Sequence, residues 1–174
     1  MRIIAGRWKG HGLKPLRGKS VRPTTDRVRE AWMSALGPRL HGARVLDLFS
    51  GSGALGLEAL SRGASSVVSV EQARSSLVVL RANIGILGAA EDCTVVADDV
   101  FRFLSRLDQP VDLALADPPY GSGDATRLVE LFGETPFAKE LWLEHPFREV
   151  LPLPENAKTR RYGDTALTTL TAHP

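Results

Sequence analysis

From residue 44 onward, short apolar runs alternate with segments whose apolar residues recur at helical spacing. Residues 45–49 (Val-Leu-Asp-Leu-Phe) predict a strand, and residues 54–62 a helix closed by Gly63. A second strand over 66–70 ends at Glu71. Residues 74–87 predict a helix with Leu77, Leu80, Ile84 and Leu87 on one side and Gly88 as its stop. A third strand over 93–96 leads to Asp98-Asp99 and a helix through Phe103, Leu104 and Leu107. A fourth strand over 112–116 ends in Asp117-Pro118-Pro119-Tyr120. A helix over 125–132 and a short fifth strand over 141–143 follow. Residues 157–162 and 165–171 alternate around the turn signal Gly163-Asp164 and predict an antiparallel pair.

The first forty residues are patterned differently. Residues 2–13 carry Ile3-Ile4, Trp8 and Leu13 between Gly6, Gly10 and Gly12, which predicts a small hairpin. Residues 15–23 are polar and basic, without periodicity, and predict a mobile loop. Proline disfavours helix at Arg22, so a helix begins at Thr24 or Thr25, either of which can cap it. Its apolar face is Val28, Ala31, Trp32, Ala35 and Leu36, with Arg27 and Arg29 placed off that face, and it stops at Gly37-Pro38. Alternating strands and helices imply an α/β doubly wound sheet, mostly parallel and seven-stranded. An antiparallel C-terminal strand pair and the N-terminal β-hairpin complete it. The expected division is a basic arm, 1–24, and one domain, 25–174.

Composition narrows the class. A chain of 174 residues with 43% hydrophobic and 24% charged residues suits one ordinary globular domain. It has no apolar run long enough to span a bilayer and no signal-peptide pattern at its start, and a single cysteine, Cys93, reads as a buried thiol. A cytoplasmic monomer with no membrane partner is expected. The net charge of +2 hides an asymmetry: residues 1–29 carry nine Lys/Arg against Asp26 alone, and the rest thirteen basic against nineteen acidic residues. A basic arm on an acidic body suits a polyanion, so Arg2, Arg7, Lys9, Arg22, Arg27 and Arg29 are candidate RNA contacts. Trp8 either stacks on a base or anchors the hairpin, with equal weight.

The acids Asp47, Glu71, Asp98, Asp99 and Asp117 all fall at strand ends, where parallel sheets bind ligands. Gly51-Ser52-Gly53-Ala54-Leu55-Gly56 spells G-x-G-x-x-G, with Glu71 twenty residues after Gly51, so a dinucleotide fingerprint is formally present. Glu71 can accept from ribose hydroxyls in NAD or in S-adenosylmethionine. Asp47 ahead of the glycines disfavours a pyrophosphate and suits an ammonium and a sulfonium, although it can also cap its own loop. Asp98 or Asp99 can accept from the adenine amine, the other capping the next helix.

Asp117-Pro118-Pro119-Tyr120 favours the methyl donor. Two prolines make a rigid turn whose carbonyls lack local N–H partners. The Asp117 carboxylate and the Pro118 carbonyl can accept from one planar NH2 group, and Tyr120 can stack on its ring. Neither a metal nor a covalent nucleophile is needed. Other readings are an adenine-N6 or glutamine-N5 enzyme of the same fold, an RNA-binding assembly factor with an idle site, and, weakest, an NAD oxidoreductase.

The chain resembles class I amino-methyltransferases through Asp47-Leu48-Phe49-Ser50-Gly51-Ser52-Gly53 and the Asp117 tetrapeptide, and more specifically the RsmD-type 16S rRNA guanine-N2 methyltransferases. The specific blocks are Arg2-Ile3-Ile4-Ala5-Gly6-Arg7-Trp8-Lys9-Gly10 and Arg22-Pro23-Thr24-Thr25-Asp26-Arg27-Val28-Arg29-Glu30. The resemblance implies S-adenosyl-L-methionine as donor and one guanine N2 of 16S rRNA, within a small-subunit assembly particle, as acceptor. By position, Phe49, Ser50, Gly51 and Gly53 form the methionine loop, Glu71 holds ribose, Asp99 rather than Asp98 faces adenine, and Asp117 and Pro118 hold the guanine amine. Glu144-His145-Pro146 departs from the family's usual acidic pair after strand five.

Overall fold

The computed structural model describes residues 1–18 and 23–173, with the side chains of residues 23–25 outside the description. The Arg22 contact and the Thr24 or Thr25 cap therefore lie outside the described residues. In order, the elements are α1 (Pro23–Leu36), β1 (Arg44–Leu48), α2 (Ala54–Ser61), β2 (Ser66–Glu71), α3 (Arg74–Leu87), β3 (Cys93–Ala97), α4 (Val100–Leu104), β4 (Val111–Ala116), α5 (Asp124–Glu134), β5 (Ala138–Pro146), β6 (Lys158–Tyr162) and β7 (Thr165–Thr171). A 3₁₀ turn, Gly37–Leu40, extends α1 beyond the expected stop and buries Leu40.

The strands form one seven-stranded sheet in the order β3-β2-β1-β4-β5-β7-β6. β1 to β5 run parallel, and β7 inserts antiparallel between β5 and β6. The winding reverses between β1 and β4, which makes their carboxyl ends the topological switch point. The expected doubly wound sheet and terminal antiparallel pair are both present.

Period-two alternation sorts each strand into two apolar layers. Val45, Val67, Leu113 and Leu115 pack with Trp32, Leu57, Leu60 and Leu80 from α1, α2 and α3. Leu46, Leu48, Ala114 and Ala116 pack with Phe101, Leu128 and Phe132 from α4 and α5. Asp47 lies between Leu46 and Leu48, so alternation turns it into the first layer, against the start of α2. Cys93 is buried beside Ser69 Oγ at 3.7 Å, and desolvation pushes its thiol up to about 11, as suits a structural cysteine.

Two elements differ from expectation. β5 spans nine residues, not three. Its polar flanks hid it: Glu140 accepts from Trp142 Nε1 at 2.8 Å, and buried His145 pairs with Thr168 Oγ1 at 2.7 Å, so the sheet satisfies both. α4 stops at Leu104 rather than Leu107, giving way to a turn bond from Leu107 N–H to the Leu104 carbonyl.

The N-terminal hairpin has one antiparallel bridge, Arg2 with Gly12, and buries Ile3 and Leu13 in the first layer. It is fastened to α2. Glu58, fully buried, accepts from Ile4 N at 2.9 Å, from Ala5 N at 3.0 Å and from Arg62 Nε at 3.0 Å. Ser61 Oγ accepts from Trp8 N at 3.0 Å and donates to the Ala5 carbonyl at 2.6 Å. Gly6 passes so close that a Cβ there would lie 1.9 Å from the Ser61 carbonyl oxygen.

Candidate active site

A cavity of about 750 Å³ opens where β1, β2, β3 and β4 end. Phe49, the first residue after β1, has φ of +57°, the only non-glycine in the left-handed region among the described residues. That conformation is costly outside glycine and clusters at ligand-binding turns. It swings the chain into the glycine loop, where Ser50 N–H bonds the Val70 carbonyl at 3.1 Å and Gly53 N–H bonds the Ser50 carbonyl at 2.8 Å. The Phe49 ring meets Phe101 edge-on at 6.3 Å.

Glu71 is held by three backbone donors: Gly51 N–H at 2.9 Å on Oε1, and Gln72 and Ala73 N–H at 2.8 and 2.9 Å on Oε2. With about two lone-pair directions per oxygen, one direction on Oε1 stays open toward a ligand. Glu71 therefore organises the glycine loop as well as bordering the cavity.

Asp47 does not border the cavity; it is 1% exposed. Its Oδ2 accepts from Gly56 N–H at 3.0 Å, and among the described residues its Oδ1 has no hydrogen-bond partner. Burial is the main reason its carboxyl stands well above the usual range; the Gly56 bond opposes this, and Asp117 and Glu71 add repulsion. The loop-capping role is the one this geometry displays. It also explains the third glycine of the motif: a Cβ on Gly56 would come within 2.8 Å of both Asp47 Oδ2 and Val67 Cγ1.

Of the two acids after β3, Asp99, the one expected to face adenine, caps the next helix instead. Asp99 is the N-cap of α4, accepting from Arg102 N–H at 2.9 Å, and does not border the cavity. Asp98 does, gripped by Arg102 Nη1 at 3.1 Å and by Arg106 Nη2. A side chain that caps the next helix reaches forward over its first turn, here to Arg102 N–H, and its predecessor is the one that borders the cavity.

After β4, Asp117, Pro118, Pro119 and Tyr120 all border the cavity. The Pro119 carbonyl closes the turn by accepting from Ser122 Oγ at 2.8 Å and from Ser122 N–H at 3.4 Å, so it does not lack local partners as expected. Tyr120 Oη pairs with Thr165 Oγ1 at 2.9 Å, tying the tetrapeptide to the first residue of β7. Glu144 of β5 and Asp124 of α5 also border this space.

Of the expected RNA contacts, Arg2, Lys9 and Arg27 are exposed. Arg7 stacks over the Trp8 ring at 4.0 Å and pairs with Asp92 at 3.3 Å, while half-buried Trp8 packs on the core as an anchor. Arg29 needs correcting. It is 3% exposed, donates Nη2 to the Arg2 carbonyl at 2.7 Å, and lies between Asp26 and Glu58. It heads the buried stripe Arg29, Trp32, Met33 and Leu36, a spacing of three, four and seven that placed it inside rather than on the phosphate-facing side.

Sequence reasoning missed Glu58 and Asn83. Asn83, fully buried on α3, accepts from Lys14 N–H at 2.7 Å and donates to the Lys14 and Ser52 carbonyls, coupling arm to glycine loop. The available signal was a polar residue on the inward face of an otherwise apolar helix.

The family model described as Conserved hypothetical protein 95 matches residues 1–171. The chain belongs to this family. Within it, YlbH of Bacillus subtilis, whose name gives it as a candidate rRNA methyltransferase, is 36% identical over 174 residues, covering 97% of this chain and 91% of YlbH. Ribosomal RNA small subunit methyltransferase D of Haemophilus influenzae is 35% identical over 162 residues, covering 90% and 84%. A solved Escherichia coli structure, yhhF, described as a candidate methyltransferase, superposes with a TM-score of 0.85 at 34% identity, covering 99% of this chain and 97% of that one. The resemblance to RsmD-type methyltransferases is thereby borne out for this Conserved hypothetical protein 95 chain.

Proposed function

We propose that the chain transfers a methyl group from S-adenosyl-L-methionine to ribosomal RNA of the small subunit, at the exocyclic N2 amine of one guanine. The observation that carries this reading is the shared cavity of the glycine loop, Glu71, Asp98 and the Asp117 tetrapeptide. The names of the H. influenzae and B. subtilis relatives support rRNA as acceptor.

The donor fits the residues present. A wall with Glu71, Asp98 and Asp117 repels a pyrophosphate and suits a ligand bearing an ammonium, a sulfonium and a ribose. Glu71 would take a ribose hydroxyl, Asp98 the adenine amine, and the loop around Phe49 and Ser50 the methionine portion. When bound, that cofactor supplies an electrophilic methyl group.

The protein supplies position and charge. Asp117 and the Pro118 carbonyl accept the two N–H bonds of the guanine amine, which turns its lone pair toward the glycine loop. The carboxylate offsets the positive charge that develops on nitrogen and stands where it would accept the proton that the methylated amine loses, and the rigid proline turn keeps both acceptors in place without reorganisation. Tyr120, held through Thr165, offers a ring face to the base. Most of the acceleration comes from alignment of the reacting atoms. The exposed cations Arg2, Arg7, Lys9 and Arg27 are the ones available to phosphates of the 16S rRNA of an assembling small subunit.

The test is incubation with labelled S-adenosyl-L-methionine and small subunits lacking their methyl groups, followed by nucleoside mass spectrometry. One labelled N2-methylguanosine is expected. Donor binding with no label in rRNA overturns the acceptor, and label on adenine overturns the guanine.

A further inference from the structure

Buried donors almost always find an acceptor, so buried donors without one point to a missing partner. Two stand side by side here. Arg29 is buried, yet among the described residues its Nη1 has no hydrogen-bond partner, and neither has Nε1 of fully buried Trp32. The Arg29 Nε sits 4.0 Å from Glu58, in charge contact but beyond hydrogen-bond length. Arg29 and Trp32 are three residues apart on α1, which puts them on one face of the helix. Both border the cavity.

The charge on the cavity wall makes this corner distinct. Among the described residues that border it, Arg29 is the only cationic side chain; the other ionisable side chains are all acids. Arg29 is flanked by Asp26, 3.4 Å from Nη2, and by Glu58, 4.0 Å from Nε, so among the described residues its Nη1 is the cationic donor left for an anionic group that Glu71, Asp98 and Asp117 repel. That corner adjoins the first turn of α2, whose Ala54 and Leu55 border the same space beside Ser50 and Gly51.

The proposed methyl donor has one anionic group, the carboxylate of its amino-acid tail. Its ribose and adenine acceptors stand after β2 and β3, and the acceptor amine's partners after β4, so the tail is left with the loop over β1 and the α1 wall. We propose that Arg29 Nη1 and Trp32 Nε1 hold the α-carboxylate of the donor's amino-acid tail. Arg29 is thus both the tie between arm and body and the anion site of the cofactor pocket. This assignment rests on the cofactor reading above.

The test is isothermal titration of the full chain with S-adenosyl-L-methionine and with its decarboxylated form. The wild type is expected to favour the carboxylated ligand by roughly tenfold or more, the scale of hydrogen bonds to a charged group. Trp32→Phe keeps the ring and removes one donor; it should cut that preference several-fold while leaving affinity for the decarboxylated ligand unchanged. Arg29→Lys, which loses the fork, should cut it further. Equal affinity of the wild type for the two ligands overturns the proposal, as does an unchanged preference in Trp32→Phe, which decides alone if the Arg29 variant does not fold. Failure of the wild type to bind either ligand overturns the cofactor reading along with it, whereas binding without preference overturns only this site.

Discussion

Two regions of this molecule concentrate charge on buried or half-buried side chains, and they use it in opposite ways. At the carboxyl edge of the sheet, Glu71 is braced by backbone amides and Asp98 by two arginines, and both border a cavity together with Asp117. Beneath the N-terminal hairpin, Glu58, Arg62 and Ser61 are matched to one another or to the hairpin's own backbone, and Arg29 reaches from this group to the cavity wall. The difference follows from position. A residue after a parallel strand stands where the backbone ladder ends and the layers part, so its side chain meets ligand space. A residue midway along a covered helix meets only neighbouring chain, so its charge must be matched internally or not buried at all.

That contrast can be broken from the internal side first. Glu58→Ala leaves Arg62 without its carboxylate, leaves Arg29 with Asp26 alone and strands two amides, so a loss of about 3–5 kcal/mol is expected in urea denaturation. A loss below about 1 kcal/mol would show that the hairpin is held by Ile3 and Leu13 alone. At the sheet edge, Asp117→Ala should leave the melting temperature in place and donor affinity within a few-fold, while lowering the transfer rate roughly 10²–10³-fold, by analogy with loss of one preorganised electrostatic partner. A fall in stability in place of rate would move Asp117 into the structural group.

Gly6→Ala probes the hairpin's fit. With a Cβ 1.9 Å from the Ser61 carbonyl and φ of +85°, the segment must lift, and about 1–3 kcal/mol of destabilisation is expected by calorimetry, without change in cofactor affinity. The smallest effect is in a slope. Asp47 holds its proton more tightly folded than unfolded, so its contribution to stability is complete below its ordinary value of 3.8 and declines as pH rises toward the higher folded value. Asp47→Asn removes that decline. Subtracting variant from wild-type denaturation free energies between about pH 4 and pH 8 should leave a difference that falls with pH. A flat difference would mean that the folded and unfolded carboxyls titrate alike.

The sheet was legible in the sequence because its determinants are local. Apolar runs alternate with 3.6-residue periodicity, and glycines or prolines stop each element. The acids at strand ends were legible as a group for the same reason. Their individual roles were not. Asp98 and Asp99 are adjacent and chemically identical, and only the helix start after them decides which one caps and which faces the cavity. β5 was read at a third of its length because Lys139, Glu140, Glu144 and His145 look like loop until β4 and β7 flank them.

The sequence by itself determined the α/β class, the clustering of acids at strand ends that marks a ligand site, and the tetrapeptide on which the proposal of an amine acceptor rests. These depend on residue order over a few positions. Only the tertiary structure decided which charges are available. Arg29 and Glu58 meet across 29 residues of chain, and whether such a pair faces solvent, substrate or each other depends on how α1, α2 and the hairpin pack. Burial is a property of that packing, and it converted an arginine counted toward an RNA-facing arm into an internal cation at the cofactor pocket's wall.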